Sequence, residues 1–333
     1  MLRNPGRIDL DSIADPLLTD GNVLLKVRMV GFCGSDLNSF RGLNPLVTYP
    51  RILGHEVSAT VVEDRGTDSP LKAGTNVAVS PYTSCGACPS CRRGRRNACQ
   101  FNQTLGVQRD GALTEFIALP REKLYPANLT LKELCLVEPL TVGFHAVARG
   151  RVTDRDTVAV WGCGGVGLGV VAAASSRGAR TICIDVDEEK LELARIAGAK
   201  FTVNSKREAL QERLLEITGG RGPDVAIEAI GTAATFRAAV EEVAFTGRVV
   251  YIGYAKEPVS YETRLFVQKE LDVLGSRNAQ PEDFGAVIKF LESGMFPVDH
   301  AISLTVPLEQ AGDALRSWSD DPARFKKIMV CVS

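Results

Sequence analysis

The chain of 333 residues has almost no excess of either charge: 39 Lys and Arg stand against 40 Asp and Glu, leaving −1 with the histidines neutral. That balance excludes a general polyanion binder, although it leaves room for local basic patches. The opening residues, "MLRNPGRIDLDSIADP", include acidic groups and lack the apolar stretch of a secretion signal, so cytoplasmic residence is expected. No segment reads as a membrane span. The longest uncharged run lies between Thr157 and Arg177, crowded with glycine in its first half and flanked by charge. Internal repeats and low-complexity segments are also missing.

What is present points to a soluble globular protein: 45% hydrophobic and 24% charged residues sit close to the averages for that class. The length suits two domains. Nine cysteines without an export signal read as thiols and metal ligands rather than disulfides.

Two textures divide the chain. Between residues 21 and 140 short β-type segments recur ("NVLLKVRMVGF", "EVSATVVE", "NVAVSPY", "LTEFIALP"), punctuated by Asp20-Gly21 and Asp110-Gly111 turns. From about Thr141, strands and helices alternate, beginning with "TVAVWGCGGVGLGVVAAASSRGA" and running to "LDVLGS". Alternation at this pitch predicts a parallel sheet wound with crossover helices. The remaining 55 or so residues are too few for a domain of their own and are expected to return to the N-terminal part.

Within the second texture, Gly162, Gly164, Gly165, Val166 and Gly167 belong to a G-x-G-x-x-G that follows an apolar strand and opens a helix. Asp185 ends the next strand, 18 positions after Gly167. This is a full dinucleotide fingerprint. Gly162 permits the tight turn, Gly164 admits the pyrophosphate, and Gly167 lets the helix close on the strand. The helix N-terminus supplies free N–H donors. Asp185 would bind the adenosine ribose hydroxyls and repel a 2′-phosphate, which favours NAD over NADP, and Lys190 would lie along the same ribose.

Metal chemistry is written in two places. Cys85, Cys88, Cys91 and Cys99 stand at C-x2-C-x2-C-x7-C, a set that closes tetrahedrally on one structural zinc with no position left for chemistry. The interspersed Arg92, Arg93, Arg95 and Arg96 lack an adjacent recognition helix and interleaved aromatics, so nucleic-acid binding is not expected. Separately, "GFCGSD", "LGHEV" and "LVEPL" carry Cys33, His55, Glu56 and Glu138. Singly, each has an ordinary structural explanation. Together, Cys33, His55 and one of the two glutamates meet the count of a catalytic zinc site, with Asp36 available to hold the imidazole.

These motifs, in this order, resemble the zinc-containing medium-chain dehydrogenases of the alcohol, sorbitol and threonine dehydrogenase type, over almost the whole chain. The resemblance implies a Rossmann sheet inserted in a GroES-like catalytic domain. The expected boundaries are 1–142 for the first part of the catalytic domain, with its zinc lobe at 84–100. Residues 143–276 are expected to form the NAD-binding domain, and 277–333 the C-terminal part of the catalytic domain. It further implies that Cys33 and His55 bind the catalytic zinc, that Glu56 and Glu138 complete its shell directly or through water, and that Ser35 relays the substrate proton with Asp36 behind. The cofactors are then two Zn2+ per chain and NAD.

The expected reaction is reversible oxidation of a secondary alcohol to a ketone. Ile252, in "VVYIGY", with Ser276 and Arg277, would help place the nicotinamide. "GSRNAQPEDF" and "YPRILGHE" resemble the bacterial branch acting on polyols and sugar acids, including enzymes similar to L-galactonate 5-dehydrogenase, so a polyol or aldonate substrate is expected. Arg277 and Asn278 are suited to hydroxyls or a carboxylate, and Arg277 would pair with the carboxylate of an aldonate. The family implies a homodimer or homotetramer joined through an edge strand, with neither nucleic acid nor membrane as partner. His145 is read as lying at the start of an apolar helix and packing between the domains. The alternatives are a zinc-free quinone reductase and a non-catalytic NAD-binding protein.

Overall fold

The computed structural model describes residues 1–66 and 71–332. In the first long strand, β1 (Asn22–Phe32), Val23, Leu25 and Val27 are fully buried while their neighbours are half-exposed, the period of two of a strand with one covered face. The chain then forms α1 (Gly34–Phe40), β2 (Glu56–Asp64), β3 (Asn76–Val79), β4 (Phe116–Pro120), β5 (Leu124–Pro126) and α2 (Leu131–Arg149).

The alternating part follows with β6 (Thr157–Trp161), α3 (Gly165–Ser176), β7 (Arg180–Asp185), α4 (Glu188–Ile196), β8 (Phe201–Asn204) and α5 (Leu210–Thr218). It continues through β9 (Val225–Glu228), α6 (Ala233–Glu242), β10 (Arg248–Tyr251) and β11 (Asp272–Gly275). Last come α7 (Pro281–Glu292), β12 (Leu304–Pro307), α8 (Ala311–Asp320) and β13 (Ile328–Cys331).

Two compact units result: Met1–Pro139 with Gln280–Ser293 and Val298–Ser333, and Leu140–Ala279 with Gly294–Pro297. In the first, seven strands run β12-β13-β1-β2-β3-β5, with β4 also paired to β1. The last strand therefore lies beside the first long one: Ile328 faces Phe32 and Met329 faces Gly31, antiparallel. On the other side of β1, Gly31 faces Glu56. This register brings residues nearly three hundred positions apart to one spot. Val23, Leu25, Phe32, Val57, Leu315 and Ile328 share its core.

In the second unit all six strands are parallel in the order β8-β7-β6-β9-β10-β11. The chain starts in the middle, winds to one edge, returns and winds to the other, which is the doubly wound dinucleotide topology expected from the strand–helix alternation. The order reverses between β6 and β9, and in open α/β sheets ligands bind beyond the carboxyl ends of the strands at that reversal. Trp161, Ile182, Ile184 and Ala226 form the core beneath it. Among the described residues no helix is long and apolar enough to cross a membrane.

Candidate active site and metal centres

Cys33 follows the end of β1, and α1 begins at the next residue. Asp36, in the first turn of α1, accepts the Cys33 N–H through Oδ2 at 2.9 Å and the Gly54 N–H through Oδ1 at 3.4 Å. One buried carboxylate thus fixes both the cysteine and the segment that leads into His55. The same Oδ1 lies 3.7 Å from His55 Nδ1. The other ring nitrogen, Nε2, is 3.4 Å from Ser35 Oγ.

Burial by itself would lower the pKa of His55, but the facing Asp36, Cys33 and Glu138 carry it well above its ordinary value. Asp36 shifts upward because it is wholly buried, with His55 opposing the shift. Cys33, His55 and Glu56 each place one donor atom within 4.8 Å of the others. A thiol, an imidazole and a carboxylate at that separation suit zinc, which takes all three.

Two side chains named by no motif complete this centre. Lys327, next to β13 and 7% exposed, donates from Nζ to both carboxylate oxygens of Glu56 at 2.7 Å and to the Phe32 carbonyl at 3.2 Å. The Glu56 carboxylate occupies the space where a β-carbon on Gly31 would lie, 2.2 Å from Oε2, so only glycine fits opposite it. Tyr82, also buried, donates its phenol to Glu138 Oε1. Burial raises Glu138 to about 7. Glu138 is therefore an interior group on α2, which begins ten residues before Thr141. His145 lies in the closing turns of α2, not at the start of a helix as its sequence context suggests, and is buried there.

The four-cysteine lobe forms a second cluster. Cys85, Cys88, Cys91 and Cys99 place their sulfurs within 4.8 Å of one another, and the last three are buried. Backbone N–H groups of Cys85 and Phe101 donate to Cys99 Sγ, and that of Cys88 to Cys85 Sγ, each at 3.3 Å. The Ser90 hydroxyl pulls Cys88 down to about 5, whereas burial pushes Cys91 up to about 11. Amides and a hydroxyl converging on sulfur fit thiolates gathered for one zinc.

In the second unit the glycine turn leaves β6. Gly162 has φ +95°, and a β-carbon on Gly167 would lie 1.8 Å from the Gly162 carbonyl oxygen, so α3 sits directly on the turn. Gly164 faces open space, and Gly165 begins α3 with Val166 beside it. Asp185 Oδ2 accepts the Cys163 N–H at 2.8 Å, while Oδ1 accepts from Val186 and Asp187 at 2.7 and 3.2 Å. The acidic strand end is tied to the glycine turn itself. Lys190 Nζ is 4.0 Å from Asp187 Oδ2. Ile252 lies just past β10 and is half-buried. Ser276 has a buried hydroxyl without a hydrogen-bond partner, and Arg277 is exposed.

The family model of the alcohol dehydrogenase GroES-like domain matches residues 19–129, and that of the zinc-binding dehydrogenases matches residues 165–293. Sorbitol dehydrogenase of Bacillus subtilis is 33% identical over 99% of this chain and 96% of its own. The chain belongs to the zinc-type alcohol dehydrogenase family. L-galactonate-5-dehydrogenase of Escherichia coli K12, another member, is 31% identical over 88% of this chain and 86% of its own. The crystal structure of the alcohol dehydrogenase RspB from E. coli CFT073, complexed with cofactor NADH, superposes with a TM-score of 0.92 at 28% identity, covering 99% of this chain and 98% of that one. The fold and family expected from the motifs are thus those of the zinc-type dehydrogenases.

Proposed function

We propose that the protein reversibly oxidises a secondary alcohol of a polyol or sugar acid to the ketone with NAD+, in the cytoplasm. The observation that carries this reading is the Cys33–His55–Glu56 cluster, braced from behind by Asp36 and Lys327. Zinc held by Cys33, His55 and a glutamate supplies Lewis acidity that lowers the pKa of an alcohol, and NAD supplies the hydride acceptor.

The residues do the rest. Asp36 holds the Cys33 amide and faces His55 Nδ1, which leaves Nε2 to ligate. Glu56 is the glutamate inside the ligand cluster, and Glu138 is kept in place by the Tyr82 hydroxyl. Ser35 Oγ, beside His55 Nε2, accepts the substrate hydroxyl proton and passes it outward. Asp185, accepting three backbone N–H groups, is fixed at the end of β7, where it binds ribose hydroxyls and repels a 2′-phosphate. The Cys85–Cys99 lobe holds a second, structural zinc.

Relatives named for sorbitol and L-galactonate support a polyhydroxylated substrate for this chain. Arg277, exposed just past β11, is assigned to the carboxylate of an aldonate, with Asn278 beside it as a further polar group for hydroxyls or a carboxylate. A screen for NADH formation over polyols and aldonates, with and without a chelator, tests the reading. Metal-dependent turnover of at least one such substrate is expected, and turnover confined to quinones or insensitive to metal removal would overturn it. If the substrate is an aldonate, Arg277→Ala should raise its KM far more than that of a neutral polyol, and equal effects would remove the carboxylate assignment.

The chain is further proposed to form homodimers or homotetramers through β11. That strand ends the sheet order and leaves Val273 46% exposed. Val273→Lys should then lower the mass measured by light scattering.

A further inference from the structure

Glu228 ends β9 at the reversal of strand order and is completely buried. Three donors converge on its Oε1, each at 2.8 Å: the Ile230 N–H, the Gly231 N–H and the Thr235 hydroxyl. Its main-chain carbonyl accepts from Ile252 at 2.9 Å and Gly253 at 3.2 Å. A single residue therefore holds the loop after β9 with its side chain and the loop after β10 with its backbone.

The glycines show how tightly these loops are interlocked. A β-carbon on Gly253 would lie 2.4 Å from both Glu228 Oε2 and the Gly231 nitrogen. One on Gly231 would lie 2.8 Å from the Tyr254 carbonyl oxygen, and Gly231 also has φ +87°. One on Gly162 would lie 2.6 Å from Ile230 Cγ1. The dinucleotide turn thus rests on Ile230, and Ile230 is held by Glu228. Ile230 is nevertheless 46% exposed, an apolar side chain left standing beside the turn at the strand reversal.

We propose that Glu228 is a positioning residue for the dinucleotide: by fixing the backbone of Ile230 and Gly231 it sets the apolar wall beside the glycine turn, and so determines cofactor affinity. The inference rests on the NAD reading given under Proposed function. A glutamate is suited to the task because one carboxylate oxygen accepts several donors at once. Its length lets it reach positions two, three and seven residues ahead.

The test compares Glu228→Ala, Glu228→Gln and Thr235→Val in the zinc-loaded protein by NADH fluorescence titration, steady-state kinetics and thermal unfolding. Losing three hydrogen bonds from the loop should raise the NADH Kd of Glu228→Ala about 10- to 100-fold. KM for NAD+ should rise in parallel while kcat at saturating NAD+ stays within about threefold, the pattern of lost binding rather than lost chemistry. Glu228→Gln retains an acceptor oxygen and should remain within about threefold of the unaltered Kd. Thr235→Val, which removes one donor, should fall between them.

A folded Glu228→Ala protein with unchanged Kd would sink the proposal, as would a Glu228→Gln protein as weak as Glu228→Ala, or a loss confined to kcat. Should Glu228→Ala fail to fold, an unchanged Kd in Thr235→Val has the same force. Failure of the unaltered protein to bind NADH would instead strike at the cofactor reading itself.

Discussion

Removing the Lys327 ammonium is the sharpest perturbation of the first unit. Both of its short bonds go to Glu56, whose side chain is 1% exposed, and its third goes to the Phe32 carbonyl. Lys327→Met keeps the length and apolar stem but leaves Glu56 as a buried carboxylate without its cation. Breaking a buried pair from one side costs about 3–5 kcal/mol, because the surviving charge is stranded rather than because the pair itself is worth that much. In metal-free protein Lys327→Met should therefore lose about 3–5 kcal/mol by urea unfolding at neutral pH. Adding Glu56→Gln, which removes the stranded charge, should restore much of the loss, and a double-mutant cycle measures the coupling.

The pH dependence has a definite sign. Burial alone would lower the pKa of Lys327, but Glu56 opposes it and the net shift is upward. The pair's contribution is therefore complete below the unfolded lysine value of about 10.4 and is lost as pH rises through the higher folded value. A Lys327→Met protein destabilised by less than about 1 kcal/mol, or a double variant no more stable than the single one, would refute the reasoning.

Cys33→Ala should stay folded and bind NADH with unchanged affinity, while elemental analysis shows zinc falling from two ions per chain to about one and turnover disappears. Cys99→Ser should release the other zinc without touching Cys33, and lower thermal stability through the lobe; retention of both ions would contradict the assignment. Gly167→Ala places a β-carbon 1.8 Å from the Gly162 oxygen, so α3 must retreat by more than an ångström. Calorimetry should show a loss of about 1–3 kcal/mol, and titration a large drop in NADH affinity with zinc content unchanged.

Much of this was legible because it is local. The strand–turn–helix around Gly162 to Gly167 and the four cysteines between Cys85 and Cys99 each declare themselves within some fifteen residues. Glu138 and His145 were less clear, since Pro139 and the change of texture near Thr141 suggest a boundary where α2 runs through without a break. A start signal was available. Thr130 and Glu133 form a reciprocal cap, with the Thr130 N–H donating to Glu133 Oε2 at 2.8 Å and the Glu133 N–H to Thr130 Oγ1 at 3.3 Å.

Lys327, Tyr82 and Glu228 are of another kind. In "RFKKIMVCV" nothing distinguishes Lys327 from Lys326, and a lysine beside a strand is ordinarily solvated. Its meaning comes only from register. Because Ile328 pairs with Phe32 rather than with a neighbour of Phe32, Lys327 lies next to the residues that precede Cys33, on the side where Gly31 has made room for Glu56. A slip of one position would send that side chain to the opposite face and strand Glu56. The pairing of the final strand is thus itself a determinant of the proposed metal centre. Its cost, a buried lysine, is tolerable only because Glu56 is there to meet it, and Glu56 fits only because position 31 is glycine.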